Sequence, residues 1–88
     1  MPVYVYVLKS VANSKRYIGI TDNLPRRMRE HRSGHTSAGR LLGEFTLMHI
    51  EEAPDYQTAR EREKLLKSGR GREWLDSLSM SPGPATGG

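Results

Sequence analysis

The chain has no cysteine, which removes disulfides and thiolate metal sites from consideration. It also has no long apolar run, so no segment reads as a membrane span. Its start, Met1-Pro2-Val3-Tyr4, lacks the basic segment and apolar core of a signal peptide, and a cytoplasmic location is the expectation. No HExxH zinc motif is present, and the pair His31 and His35 is interrupted by Gly34. Acids are scarce in one region: residues 1–40 hold only Asp22 and Glu30 against eight bases, a balance of +6. The remaining 48 residues hold six bases and eight acids, a balance of −2, for a total of +4. Clustered bases suit a polyanionic partner, and in the cytoplasm nucleic acid is the commonest. A solvated basic face with no ligand is the plainer alternative.

At 88 residues the chain has room for one domain. A chain this small buries only about 60% of its unfolded surface, so one sheet with two or three helices is the realistic limit. The expected fold is α+β, a small antiparallel three-stranded sheet flanked by helices in the order ββαβαα. The domain is expected over residues 1–78, followed by a disordered tail over 79–88 that holds two prolines and three glycines.

Val3 to Leu8 is an unbroken run of β-branched, aromatic and aliphatic residues, so it reads as a central strand covered on both faces. Asn13 supplies turn chemistry, and Arg16 to Ile20 returns as a second strand. Thr21, Asp22 and Asn23 offer N-cap side chains ahead of a helix from Leu24 to Arg32, which Gly34 stops. His35 to Glu44 reads as a flexible loop, and Phe45 to Glu51 as a strand. A helix from Tyr56 to Lys67 follows, and then a short one from Arg72 to Leu78, set apart by Gly71 and pinned to the core by Trp74 and Leu75.

Strand alternation puts Tyr4, Tyr6 and Leu8 on one face of the first strand, and Tyr17 shares a face with Gly19 on the second. If Leu8 pairs with Tyr17 and Tyr6 with Gly19, the phenols of Tyr6 and Tyr17 are diagonal neighbours, with open space beside Tyr6. A one-residue slip would send them to opposite faces. Both could also be core residues whose hydroxyls reach water. Arg27 and His31 stand four apart beside the apolar stripe of Leu24 and Met28. A guanidinium there suits phosphate oxygens, or an ion pair with Asp22 or Glu30. His31 could relay a proton, bind phosphate, or simply place charge near a helix end. Arg26, Arg29, Arg32 and Arg40 read as outward charges for steering a nucleic-acid backbone, or for solubility. Ala59, Glu63 and Leu66 fall on one helical stripe, so Glu63 is expected to face the sheet, while Glu61 points to water. An inward carboxylate needs a partner: a divalent cation, Arg27 or another arginine.

Tyr4-Val-Tyr6, Tyr17-Ile-Gly19, Arg27, His31 and Glu63, taken in order, resemble the GIY-YIG nuclease family, in particular its small single-domain members. The resemblance covers residues 3 to 78, and Ala59 through Lys67-Ser-Gly-Arg-Gly-Arg-Glu-Trp-Leu75 is similar to the ending typical of that subgroup. By this resemblance Tyr6, Tyr17, Arg27 and His31 are catalytic, and Glu63 holds one Mg²⁺ or Mn²⁺. The implied activity is metal-dependent endonucleolytic hydrolysis of phosphodiester bonds, in DNA before RNA, with Tyr6 taking a proton from water and Tyr17 positioning water or phosphate. The first motif departs from Gly-Ile-Tyr, Ile20 stands where some members carry a lysine, and the only asparagines are Asn13 and Asn23, both early in the chain. A non-catalytic nucleic-acid-binding module and a protein-interaction module are the two alternative readings.

Overall fold

The structure, a computed structural model, describes residues 2–80. It contains β1 (Val3–Ser10), β2 (Arg16–Thr21), α1 (Leu24–Arg32), α2 (Ser37–Leu42), β3 (Phe45–Ala53), α3 (Tyr56–Lys67) and α4 (Gly69–Met80). The strands form one antiparallel sheet in the order β2-β1-β3, so β1 is central, as its unbroken apolar run requires. The α+β class and the small three-stranded sheet agree with the expectation. No helix among the described residues is long and apolar enough to cross a membrane.

Two elements differ from the sequence expectation. The segment read as a flexible loop contains α2, whose N-cap Thr36 accepts a hydrogen bond from the Gly39 amide at 2.9 Å. Leu42, 1% exposed, anchors this helix in the core, and Ser10 Oγ donates to its carbonyl at 2.7 Å. The glycines that suggested a loop serve other purposes. Gly34 and Gly43 take the positive φ values of 78° and 64° that end α1 and α2, while Gly39 lies against the His31 carbonyl, where a Cβ would collide.

The last helix is also longer than expected, because Gly71 does not interrupt it. Ser68 Oγ accepts from the Gly71 amide at 3.2 Å and caps α4 from Gly69, and Gly71 packs so close to the backbone of Leu65 and Leu66 that no side chain fits there. Leu75 is fully buried and pins α4, whereas Trp74 lies at the rim with 39% exposure. Met80 is still helical, so α4 runs two residues into the segment expected to be a tail. Residues 81–88 of that expected tail lie outside the described residues.

Each face of the sheet has its own core. Val3, Val5, Val7 and Ile18 pack with Ala59 and Leu66 of α3 and Leu75 of α4 on one side. Tyr6, Leu8 and Phe45 pack with Met28 of α1 and Leu42 of α2 on the other. Burying one Leu side chain is worth about 1.5–3 kcal/mol, so Leu66 and Leu75 supply much of what holds the α3–α4 layer. A polar clasp adds to that layer: Arg62 of α3 donates from Nε and Nη2 to the Glu51 carboxylate of β3, at 2.6 and 2.8 Å.

A candidate active site at the edge of the sheet

The expected register is the observed one: Leu8 lies opposite Tyr17 and Tyr6 opposite Gly19. Both phenols therefore project into the α1–α2 layer. The space above Gly19 is filled, because the Tyr6 ring lies over it. A Cβ built on Gly19 would meet the Tyr6 hydroxyl oxygen at 2.5 Å, its ring carbon Cζ at 2.6 Å and Tyr17 Cε2 at 2.8 Å. Tyr6 is fully buried and cannot easily give way. Gly19→Ala should therefore destabilise the protein by about 1–3 kcal/mol through overpacking and push Tyr6 out of its hydrogen bond. A thermal midpoint equal to that of the parent would show that the ring has room to shift.

Helix α1 supplies the partners. Asn23 caps it by accepting from the Arg26 amide at 3.1 Å, and Pro25 stands in its first turn. This phase turns Met28 and His31 inward and leaves Arg26, Arg29 and Arg32 exposed, as the sequence predicts; Arg40 on α2 is exposed as well. Arg32 lies 5.7 Å over the Phe45 ring, and Arg40 donates to the Gly34 carbonyl at 3.1 Å.

His31, 1% exposed, is the hub of the site. Its Nε2 lies 2.8 Å from the Tyr6 hydroxyl and its Nδ1 2.7 Å from Thr36 Oγ1. Its ring also meets Tyr17 edge-on at 5.4 Å between centroids. The contacts fit two tautomers: with Nδ1–H donating to Thr36 Oγ1, the Tyr6 hydroxyl donates into the Nε2 lone pair; with Nε2–H donating to the Tyr6 oxygen, the Thr36 hydroxyl donates to Nδ1 and the Tyr6 hydroxyl turns to Tyr17. The first is the one in which Tyr6 can pass its hydrogen to the ring.

Sequence reading missed Thr36, because it stood among glycines in an apparent loop. The available signal was its position as an N-cap three residues before Gly39. Thr36→Ala should cost about 1 kcal/mol as a lost cap and shift the His31 tautomer ratio, with Thr36→Ser restoring both. Nitrogen-15 shifts of the imidazole report the tautomer, and an unchanged ratio in the alanine variant would refute the role assigned to Thr36.

Burial pushes the Tyr6 phenol up to about 12, opposed in part by the Arg27 guanidinium beside it. Burial likewise holds His31 below its ordinary 6.5, helped by the positive charge of Arg27. Both partners of this hydrogen bond are therefore neutral at neutral pH. Arg27 Nη1 donates to Glu30 Oε1 at 2.9 Å, which realises the ion pair weighed from the sequence. Its Nε, however, is buried and has no acceptor among the described residues. An unpaired buried donor costs about 1–3 kcal/mol, and an anionic oxygen would relieve it.

Glu63 is placed differently from these four. It stands on α3, in the opposite layer, at the margin of the buried stripe of Ala59 and Leu66, with 24% of its side chain exposed. Its partner is Lys67, one turn on, at 3.0 Å, and neither Arg27 nor any other arginine is bonded to it. Lys67 nevertheless links the two layers. It lines a hollow of about 450 Å³ with Glu63, and a second of about 410 Å³ with Tyr17 at the open edge of β2. Among the described residues no group of three acids or histidines could enclose a metal ion. A lone half-open carboxylate facing a hollow fits Mg²⁺ or Mn²⁺ in the open manner, with water and substrate oxygens completing the shell. Lys67 would have to release it.

The family model for the GIY-YIG catalytic domain matches residues 2–74. The chain belongs to the GIY-YIG family. Members of this family are typically nucleases that use divalent metals and bind nucleic acid. Among its relatives, this GIY-YIG chain is 34% identical to the UPF0213 protein YhbQ of Escherichia coli O8 (strain IAI1), with 88% of this chain and 90% of the relative covered. A UPF0213 protein of Citrobacter koseri is 31% identical, over 92% and 93% of the two chains. The solution NMR structure of the UPF0213 protein BH0048 from Bacillus halodurans is 33% identical and superposes with a TM-score of 0.55, over 93% of this chain and 89% of that one.

Proposed function

We propose that this GIY-YIG chain is a cytoplasmic, metal-dependent endonuclease that hydrolyses phosphodiester bonds, with DNA as its substrate. The observation that carries the reading is the 2.8 Å bond between the Tyr6 hydroxyl and His31 Nε2, beside an arginine with an unpaired buried donor. A phenol held near 12 is too rarely ionised to act alone at neutral pH. Coupled to a neutral imidazole, it need not ionise beforehand. As the Tyr6 oxygen takes a proton from water, its own hydrogen passes to His31 Nε2, and the resulting imidazolium keeps its Nδ1–H on Thr36. The hydroxide so formed attacks phosphorus, and the leaving oxygen departs on the far side.

Tyr6 has no exposed surface, whereas Tyr17 lines the hollow, so Tyr17 meets water or phosphate first. Arg27 exchanges Glu30 for a phosphate oxygen, brings its Nε into the interaction and opens the way to Tyr6. Arg26, Arg29, Arg32 and Arg40 supply the surrounding positive field. Glu63 would hold a divalent cation, which would supply neutralisation of charge on the phosphate.

The test is cleavage of labelled duplex, branched and single-stranded DNA and RNA with Mg²⁺ or Mn²⁺, run beside Glu63→Ala and Tyr6→Phe. Cleavage in the parent and its loss in both variants supports the reading. Salt-sensitive binding without cleavage, indifferent to metal and to Glu63→Ala, would replace it with a non-catalytic binding module.

A further inference from the structure

The bases singled out from the sequence lie on α1 and α2, yet the structure gathers a second basic set at the outer edge of β2. The hollow of about 410 Å³ there is bounded by Arg16 and Tyr17 of β2, Ser14 of the preceding turn, Lys67 at the end of α3 and Arg72 in the first turn of α4. Arg16 is matched by Asp76 at 2.6 Å and Lys67 by Glu63 at 3.0 Å. Arg72 is exposed, and its guanidinium has no partner among the described residues.

Stability does not explain this placement. The first turn of α4 carries no acid, and the positive end of a helix dipole disfavours an arginine there. With Arg16 and Lys67 matched by acids, Arg72 is the one cation lining the hollow without a counter-charge among the described residues, and an anion entering there would supply it. Tyr17 is one of the residues lining it, and the Tyr17 ring lies 6.2 Å from Tyr6 and 5.4 Å from His31. The hollow therefore borders a residue of the proposed reaction centre.

We propose that this hollow is a subsite for the backbone phosphate next to the one being hydrolysed, held by Arg72 and Lys67. The proposal rests on the endonuclease reading and deepens it. A phosphodiester oxygen accepts from the Arg72 fork and from Lys67 Nζ, and contacts of this kind fix the register of the strand without reading its bases. Drawing Lys67 onto phosphate also frees the Glu63 carboxylate, so occupation of the subsite and readiness of the site are linked.

The experiment compares the parent protein with Arg72→Ala and with Arg70→Ala, a neighbouring exposed arginine that does not line this hollow. Binding to DNA oligonucleotides is followed against salt, with a single neutral methylphosphonate moved stepwise past the cleaved bond. Arg72→Ala should lower the slope of log affinity against log salt by about one, with an unchanged thermal midpoint, and Arg70→Ala should leave binding to this phosphate unchanged. The methylphosphonate next to the cleaved bond should weaken the parent and have no further effect on Arg72→Ala. If the parent cleaves and Arg72→Ala behaves like it, or if the loss is the same wherever the neutral linkage stands, the subsite is wrong and the endonuclease reading survives. A parent that neither binds nor cleaves overturns both.

Discussion

Tyr6→Phe is expected to lower phosphodiester cleavage by about a hundred- to ten-thousand-fold, the usual range for removing a general base. The variant keeps the ring over Gly19 and loses only the oxygen bonded to His31. Leaving buried Nε2 unpaired costs about 1–3 kcal/mol, or about 4–8 °C in thermal midpoint per kcal/mol for a domain this size, so rates should be compared well below the midpoint. Tyr17→Phe is the essential companion. If it costs more than Tyr6→Phe, the exposed phenol is the base and the buried one only supports it.

The pH dependence gives the same assignment a second test. His31 is held below 6.5 in the folded protein, so its acceptor lone pair is available throughout the neutral range and is lost only as pH falls through that lowered value. The parent should therefore show a level rate above about pH 6.5 and a decline on the acid side. Stability moves in the same direction. Folding favours the neutral ring, so its contribution is complete above the unfolded pKa and drains away as the imidazolium is forced to form. In His31→Ala the level region should vanish, and the residual rate should climb with pH toward ionisation of the phenol near 12. A parent rate that keeps climbing between pH 7 and 9 would exclude the relay.

Glu63→Ala should abolish metal-stimulated cleavage while leaving the fold as it is. The side chain is partly exposed and its ion pair with Lys67 is a surface pair of a kind worth about 0.3–0.5 kcal/mol, so the thermal midpoint should barely move. Nucleic-acid binding should persist, since the carboxylate itself repels phosphate. Calorimetric titration with Mn²⁺ separates the causes: heat of binding in the parent and none in the variant identifies Glu63 as the ligand. Cleavage by the variant at the parental rate would require another ligand for the metal.

What the sequence revealed, and what it concealed, follows from where the information lies. The continuous apolar run of β1 announced a central strand, and alternation with a short return strand was enough to bring Tyr6 and Tyr17 to one face. The caps of α1 set the rotation that turns His31 inward, and both are local features. α2 was hidden because Gly34, Gly39 and Gly43 look alike in composition, while only the tertiary contact of Gly39 with His31 explains why one of them sits inside a helix. The layer to which α3 belongs was equally hidden. Periodicity showed that Ala59 and Leu66 face a sheet, but it contains nothing about which side, so the packing of α3 on the face opposite Tyr6 appears only in three dimensions. The basic hollow joins Arg16 to Arg72 across most of the chain and has no signature along it.

The two separate cores bear on how this protein can lose its function by mutation. All three strands contribute to both: β1 through Val3, Val5 and Val7 on one side and Tyr6 and Leu8 on the other, β2 through Ile18 and Tyr17, and β3 through Ala53 and Phe45. A substitution beneath α3 or α4 can displace the carboxylate while Tyr6, His31 and Thr36 stay in place, and one beneath α1 or α2 can do the reverse. On the endonuclease reading, a descendant could thus lose catalysis through either layer, keep the motifs of the other, and still bind nucleic acid through its basic surface. Hereditary inactivation in such a scaffold would leave half of the signature intact, so the family's signature residues have to be checked on both sides of the sheet before a descendant is counted as a working enzyme.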